Sequence, residues 1–170
     1  MDLKQFIRDV PDFPQPGVLF RDITPLLGNQ AAFTEVIESL AEPLQREPVD
    51  AIAGIESRGF LFGAPLAYRL QVPLVPIRKA GKLPAAVMSV EYALEYGTSQ
   101  LDIHKDALVP GQRVAIVDDV LATGGTAEAA ARLVELLGGR VACVLFLGEL
   151  EALGGRRRLA GYEVRTLLQF

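Results

Sequence analysis

The sequence predicts an α/β fold built on a mostly parallel twisted sheet flanked by helices, and three observations carry that expectation. Short strand-like runs alternate with segments of helical periodicity along most of the chain, the pattern of a parallel sheet whose crossovers are helices. The run Val141–Leu147 is apolar at every position, as in a strand covered on both faces. With 170 residues, 50% hydrophobic and 22% charged, the chain has the size and composition of one globular domain spanning 1–170.

In chain order, Leu3 to Val10 reads as a short amphipathic helix. Pro11, Pro14, Pro16 and Gly17 then impose an extended, turn-rich segment, because proline fixes φ and lacks a backbone donor. Gln30 to Arg46 reads as a helix. Its Phe33, Val36, Ile37, Leu40 and Leu44 line up one apolar stripe, and Pro48 stops it. Asp50–Gly54 is predicted as a buried strand, Gly59–Leu70 as a helix and Leu74–Ile77 as a second strand. Residues 78–100 hold Gly81, Pro84 and Gly97 without a helical stripe, so a long loop is expected. Weak alternation over Ser89–Leu94 hints at a hairpin that could act as a lid. Regular order returns with a strand at Gln112–Val117, a helix at Thr126–Leu137 and the strand at Val141–Leu147. A polar turn or short helix around Arg156–Arg158 and an edge strand over Val164–Leu168 complete the chain.

Composition removes several function classes. A single Cys and a single His exclude an intrachain disulfide and a zinc site, and Cys143, inside an apolar run, reads as a small buried hydrophobe. His104 reads as a surface residue. A net charge of −4 provides no global field for a nucleic acid, so any anion site must be local. No apolar run approaches membrane-span length and the first ten residues lack a signal-peptide core, which predicts a cytoplasmic protein with no membrane partner.

Chemistry concentrates in Val114–Ala127. A run of β residues ends in two adjacent carboxylates, Asp118 and Asp119, and a Thr/Gly-rich turn opens directly into a helix. A helix start presents unpaired N–H groups and the positive end of its dipole, and in open α/β sheets ligands bind where strands end. Ala122 to Thr126 therefore form a candidate anion cradle, with Thr hydroxyls able to bond phosphate oxygens or to cap the helix. The carboxylates beside it suit vicinal hydroxyls, so a phosphorylated sugar fits both halves. An ordinary helix N-cap is the plainer alternative, but two adjacent acids at a strand end cost more stability than a turn requires. The segment has no Gly-Lys-Ser/Thr, and G-x-G-x-x-G follows no predicted strand, which argues against nucleotide hydrolysis and dinucleotide binding.

Val117–Thr126 resembles the phosphoribosyl pyrophosphate motif of the type I phosphoribosyltransferases. Pro11–Pro25, Glu56–Gly63, Arg78–Pro84 and Leu94–Gly97 resemble, in collinear order, the adenine-specific branch of that family. The resemblance implies the type I phosphoribosyltransferase fold with an N-terminal base-binding hood (1–29) and a flexible lid loop (78–100). It also implies purine salvage: phosphoribosyl transfer from 5-phosphoribosyl 1-pyrophosphate to adenine, yielding AMP and pyrophosphate. Mg²⁺ would be held mainly through substrate oxygens and water. A homodimer is implied as well.

Carried over residue by residue, Asp118 and Asp119 would hold the ribose 2′ and 3′ hydroxyls, while Ala122, Thr123, Gly124, Gly125 and Thr126 bind the 5′-phosphate. Glu56, Ser57 and Arg58 would form the pyrophosphate loop, with Arg58 as the charged contact and, often in the family, a cis non-proline peptide. Arg78, Lys79 and Lys82 would clamp the pyrophosphate, although alone they read as a solvated basic cluster. Phe20 would stack on adenine, and the backbones of Leu19 and Arg21 would read its edge. Glu95 is the implied catalytic residue, accepting the N7 proton as N9 attacks the anomeric carbon. Tyr96 would help place the lid, with simple packing on its neighbours as the other reading. Two rivals stay open at this level: an oxopurine in place of adenine, and a regulatory protein that binds the sugar without turnover.

Overall fold

A computed structural model describes residues 1–94 and 97–170 of the chain; Glu95 and Tyr96 lie outside the described residues. The chain forms two compact units, Met1–Ser39 and Leu40–Phe170.

In the first unit the helix expected over Leu3–Val10 is confined to a 3-10 turn at Leu3–Phe6, where the Asp2 side chain accepts from the Lys4 N–H at 3.1 Å. So short a helix closes too few hydrogen bonds to offset nucleation. The next residues find a better partner: β1 (Arg8–Pro11) pairs antiparallel with β2 (Leu19–Asp22), Val10 opposite Phe20. Cross-strand ion pairs Arg8–Asp22 and Arg21–Asp9 reinforce the ribbon. Asp22 also accepts from the Thr24 hydroxyl and N–H, tying β2 to α1 (Thr24–Leu27). Helix α2 (Gln30–Arg46) then carries the chain into the second unit; Asn29 caps it through the Ala32 N–H at 3.0 Å. Its stripe is as the spacing predicts, with Val36, Ile37, Leu40 and Leu44 buried.

The second unit is built on a seven-stranded sheet. In chain order it contains β3 (Ala51–Ile55), α3 (Arg58–Leu70), β4 (Leu74–Lys79), β5 (Val87–Ala93) and β6 (Thr98–His104). There follow β7 (Arg113–Leu121), α4 (Gly125–Leu136), β8 (Arg140–Glu149) and β9 (Val164–Gln169). The strand order is β5-β6-β4-β3-β7-β8-β9. The five strands from β4 to β9 in that order run parallel; β5 and β6 form an antiparallel hairpin added to the β4 edge. Helices as crossovers explain the parallel part, and burial on both faces explains why β3 is buried at every residue. Phe62, Leu66, Ile77, Ile116, Leu121 and Phe146 are among the largest fully buried side chains. Gly59 is required by close packing, because a Cβ there would lie 2.6 Å from the Val117 carbonyl oxygen of β7.

Two sequence expectations change. Much of the stretch expected as a long loop is the β5–β6 hairpin, wider than the alternation over Ser89–Leu94 suggested. Its inward positions Val90, Leu101 and Ile103 are buried, and between the last two sits a buried carboxylate, Asp102. Asp102 accepts from Ser89 (2.7 Å), Gln100 (2.8 Å) and the Gly81 N–H (3.1 Å). Strand β7 also runs four residues past its expected end, so Asp118 and Asp119 belong to the strand itself. Cys143 is buried in β8 as expected, its thiol pushed up to about 12 chiefly by desolvation. His104 is half-buried at the end of β6. Among the described residues no helix is long and apolar enough to cross a membrane.

Phe62 tests the core. Truncating it in Phe62→Ala removes a fully buried ring and is expected to lower unfolding stability by about 3–5 kcal/mol in a denaturant titration. A loss below about 1 kcal/mol would show that α3 does not depend on this contact.

Candidate active site

The sheet order creates a crevice. From β3 the chain crosses through α3 to β4 on one side, and from β7 through α4 to β8 on the other, so β3 and β7 are neighbours whose connections diverge. Ligands of open α/β sheets bind at such a switch point, beyond the carboxyl ends of the strands. The parallel register pairs Gly54 with Val117, where the ladder ends, and Glu56 and Asp119 both line the space beyond it. A cavity of about 420 Å³ opens there, lined by Glu56–Arg58 after β3, by Asp118–Gly124 and Thr126 from β7 into α4, and by Lys79 and Tyr92.

The turn after β7 has the geometry of an anion cradle. Gly124 caps α4 in the left-handed region (φ 86°), and no side chain bonds the helix start. The Thr residues are therefore not spent on capping; Thr126 instead donates its hydroxyl weakly to the Tyr92 oxygen at 3.4 Å. First-turn N–H groups without a side-chain cap, with the helix dipole behind them, favour an anion at this point.

Charge is arranged in opposing pairs around that turn. Arg58, the first residue of α3, donates from Nε to Asp119 at 2.5 Å, and the Asp119 side chain is only 6% exposed. Asp118 accepts from the Asp119 N–H at 2.8 Å. Desolvation first, and the adjacent Asp119 charge second, push the Asp118 carboxyl well above the ordinary carboxylate range. The Glu56–Ser57 peptide is cis. Glu56 is buried at the mouth of its strand, yet its pKa is lowered. Burial would raise it, but Lys82 Nζ at 2.7 Å, the Lys79 N–H at 2.8 Å and Arg78 Nε at 3.2 Å together outweigh that. Among the described residues no group of three or more His, Cys, Asp or Glu is placed to hold a metal ion.

The sequence and fold of this chain have close counterparts in known proteins. The family model for the phosphoribosyl transferase domain matches residues 24–163. The adenine phosphoribosyltransferase of Chloroflexus aurantiacus is 59% identical over 169 residues, which is 99% of this chain and 98% of the relative. The crystal structure of adenine phosphoribosyltransferase from Thermoanaerobacter pseudethanolicus superposes with a TM-score of 0.97 at 57% identity, covering 99% of this chain and 98% of that one. This chain belongs to the adenine phosphoribosyltransferase family. The yeast (Saccharomyces cerevisiae) member, crystallised with an imino-altritol bisphosphate and adenine, gives a TM-score of 0.94 at 43% identity, covering 98% of this chain and 97% of that one.

For this family member the structure gathers Glu56, Ser57, Arg58, Lys79, Asp118, Asp119, Ala122, Thr123, Gly124 and Thr126 around one cavity, with Gly125 opening α4 beside them. Arg78 and Lys82 are instead turned onto Glu56, so that carboxylate sets where two of the three clamp cations stand. Leu19, Phe20 and Arg21 lie on β2 in the first unit, where the Phe20 ring meets Phe13 edge-on at 5.1 Å. Leu19 and Arg21 are equivalent in the ladder and Phe20 is of the opposite kind, as alternation requires. Glu95 and Tyr96, the predicted catalytic and lid residues, fall outside the described residues. Sequence reasoning missed Asp102, which ties the Gly81 turn beside the clamp to β5 and β6; its signal was a carboxylate flanked by Leu101 and Ile103 in an alternating run.

The pH dependence of stability has two signs here. Glu56, with its folded pKa lowered, contributes stability that is present above about pH 4.3 and is lost as pH falls through the lower folded value. In Glu56→Gln the loss of stability on acidification is expected to be shallower, as read from thermal midpoints across acidic pH. Asp118, with its folded pKa raised, acts oppositely: stability declines as pH rises from about 3.9 toward that raised value. Asp118→Asn is thus expected to gain on the wild type as pH increases toward neutrality. Parallel curves for variant and wild type would show that Asp118 is not under this strain.

Proposed function

We propose that this chain transfers the 5-phosphoribosyl group from phosphoribosyl pyrophosphate to adenine, forming AMP and pyrophosphate in purine salvage. The observation that carries the reading is the sharing of one cavity by the Asp118–Asp119 pair, the uncapped start of α4 and the Glu56–Arg58 loop. Its volume of about 420 Å³ falls within the small-molecule range.

The assigned roles follow from chemistry. Asp118 and Asp119 accept the ribose 2′ and 3′ hydroxyls, and the N–H groups and hydroxyls of Ala122–Thr126 take the 5′-phosphate. Arg58 and Lys79 face the leaving pyrophosphate, with Arg78 and Lys82 held in reserve on Glu56. Adenine falls to Leu19, Phe20 and Arg21, whose backbone donor and acceptor distinguish an amino from an oxo purine. As N9 of adenine attacks the anomeric carbon and its bond to pyrophosphate breaks, Glu95 accepts the N7 proton. Closure over the substrates by part of the 78–100 segment, aided by Tyr96, would keep water from capturing the cationic sugar.

The oxygen donors lining the cavity, with no thiolate or imidazole among them, suit a hard cation. Bound through pyrophosphate, ribose and water oxygens, Mg²⁺ would neutralise developing charge on the leaving group. A cytoplasmic homodimer completes the proposal; sedimentation of the purified chain at the dimer mass supports its second half, and a monomer refutes it.

AMP formation from adenine, followed spectrophotometrically with and without Mg²⁺, is the direct test; a preference for an oxopurine overturns the adenine assignment. Glu95→Gln is expected to lower kcat by about a hundredfold while leaving the sugar-pyrophosphate Kd nearly unchanged, and an unaltered kcat would remove Glu95 from proton transfer. Asp118→Asn and Asp119→Asn should each weaken phosphoribosyl pyrophosphate binding by roughly ten- to hundredfold in calorimetry.

A further inference from the structure

The Arg156–Arg158 tripeptide does not line the cavity, yet its surroundings are built. Beyond β8 the chain passes through 3-10 turns at Glu151–Leu153 and Gly155–Arg157 before reaching β9. Gly155 in this segment packs backbone to backbone against the phosphate turn. A Cβ at Gly124 would lie 2.5 Å from the Gly155 carbonyl oxygen, and a Cβ at Gly155 would collide with the Ala122 carbonyl. Neither glycine can become alanine without moving the other strand of chain, so the position of Gly155 limits where Ala122–Gly124 can stand.

What holds Gly155 is an ion pair whose carboxylate is buried and whose guanidinium reaches the surface, the Arg156 side chain being 45% exposed. Glu149, at the end of β8, has a side chain only 5% exposed. Its two oxygens accept from Arg156 Nε at 2.9 and 2.8 Å. The same guanidinium donates to the Val164 carbonyl at 3.0 Å and to the Thr166 hydroxyl at 3.1 Å, both on β9. The Leu150 N–H donates to the Leu121 carbonyl, the residue just before the phosphate turn. Arg156 thus joins β8, β9 and the segment that backs the turn, and a planar, multiply bonded guanidinium fixes that segment more rigidly than an ammonium could.

We propose that the Glu149–Arg156 pair is a positioning device for the 5′-phosphate turn, setting affinity for phosphoribosyl pyrophosphate without touching it. The inference rests on the function proposed above, in which Ala122–Thr126 bind that phosphate. Loosening the pair lets Gly155 and the turn drift, so the N–H groups of α4 no longer converge on the phosphate. Adenine recognition and proton transfer, which use other residues, are unaffected.

Steady-state kinetics of Arg156→Lys test this, since Lys keeps the charge and loses the fork. The KM for phosphoribosyl pyrophosphate is expected to rise about tenfold, with kcat and the KM for adenine within about twofold of wild type. Gly155→Ala, which leaves the ion pair intact, should give the same split. A lowered thermal midpoint with that KM unchanged would mean the pair serves folding alone and overturns the inference. Should Arg156→Lys fail to fold, Thr166→Val removes only the hydroxyl that accepts from Arg156 and donates weakly to Glu149; its KM for phosphoribosyl pyrophosphate should rise about threefold, and no rise overturns the inference equally. A wild-type chain that forms no AMP would instead refute the proposed reaction, so the two failures are distinguishable.

Discussion

The adjacency of β3 and β7 in the parallel ladder is the constraint on which the rest depends. Because one strand feeds α3 and the other α4, and the two crossovers leave on opposite sides, both loops at the carboxyl ends are forced to face the same crevice. Most of the polar residues of the site hang from those two connections, Glu56, Ser57 and Arg58 at one and Asp118 to Thr126 at the other, while Lys79, Tyr92 and Ser99 are added by β4, β5 and β6. The close seating of Gly59 on the Val117 carbonyl brings the start of α3 against β7 and delivers Arg58 to Asp119. A side chain at position 59 would push the two loops apart, and the cavity would lose its facing walls.

The second theme is charge held in compensated form. Asp118 and Asp119 are crowded at one strand end at a cost in stability. Part of that cost is offset by Arg58, and part remains as the raised pKa of Asp118. Across the crevice the problem is inverted. Three cationic residues converge within five positions, and the buried Glu56 carboxylate gathers two of them while also accepting the Lys79 N–H. Sites tuned for a polyanionic ligand carry such internal tensions, since groups placed to meet charge in the ligand are poorly satisfied without it. The Glu149–Arg156 pair belongs to the same economy at one remove, anchoring backbone rather than presenting charge.

Legibility in the sequence varied with the range of the interaction responsible. The α2 stripe is a local pattern and the structure places it as read; the acid pair, read at a strand end, lies inside β7, which runs on to Leu121. The N-terminal helix was misread because Arg8–Pro11 is decided by pairing with β2, eleven residues downstream of Arg8 at its nearest, which outweighs a weak local preference. The β5–β6 hairpin is legible only in part, since β5 is an edge strand with one buried position and β6 buries Leu101, Asp102 and Ile103 in succession, which sequence alternation does not signal. Lys79 and Lys82 are neighbours in a basic cluster by sequence, yet one faces the cavity and the other Glu56. No local pattern separates them.

By itself the sequence determined the α/β class, most strands and helices of the parallel part, and the Thr/Gly turn after β7, because burial periodicity and turn composition act over a few residues. The family resemblance extended this to the adenine phosphoribosyltransferase family, to which the chain belongs. Only the tertiary structure decided which strands are neighbours, that Glu56 and Asp119 share one cavity, that Arg58 reaches across to β7, and that Gly155 stands behind the turn after β7. Those contacts join residues far apart in the chain through sheet register and backbone packing, and such distances leave no periodic trace in the order of amino acids.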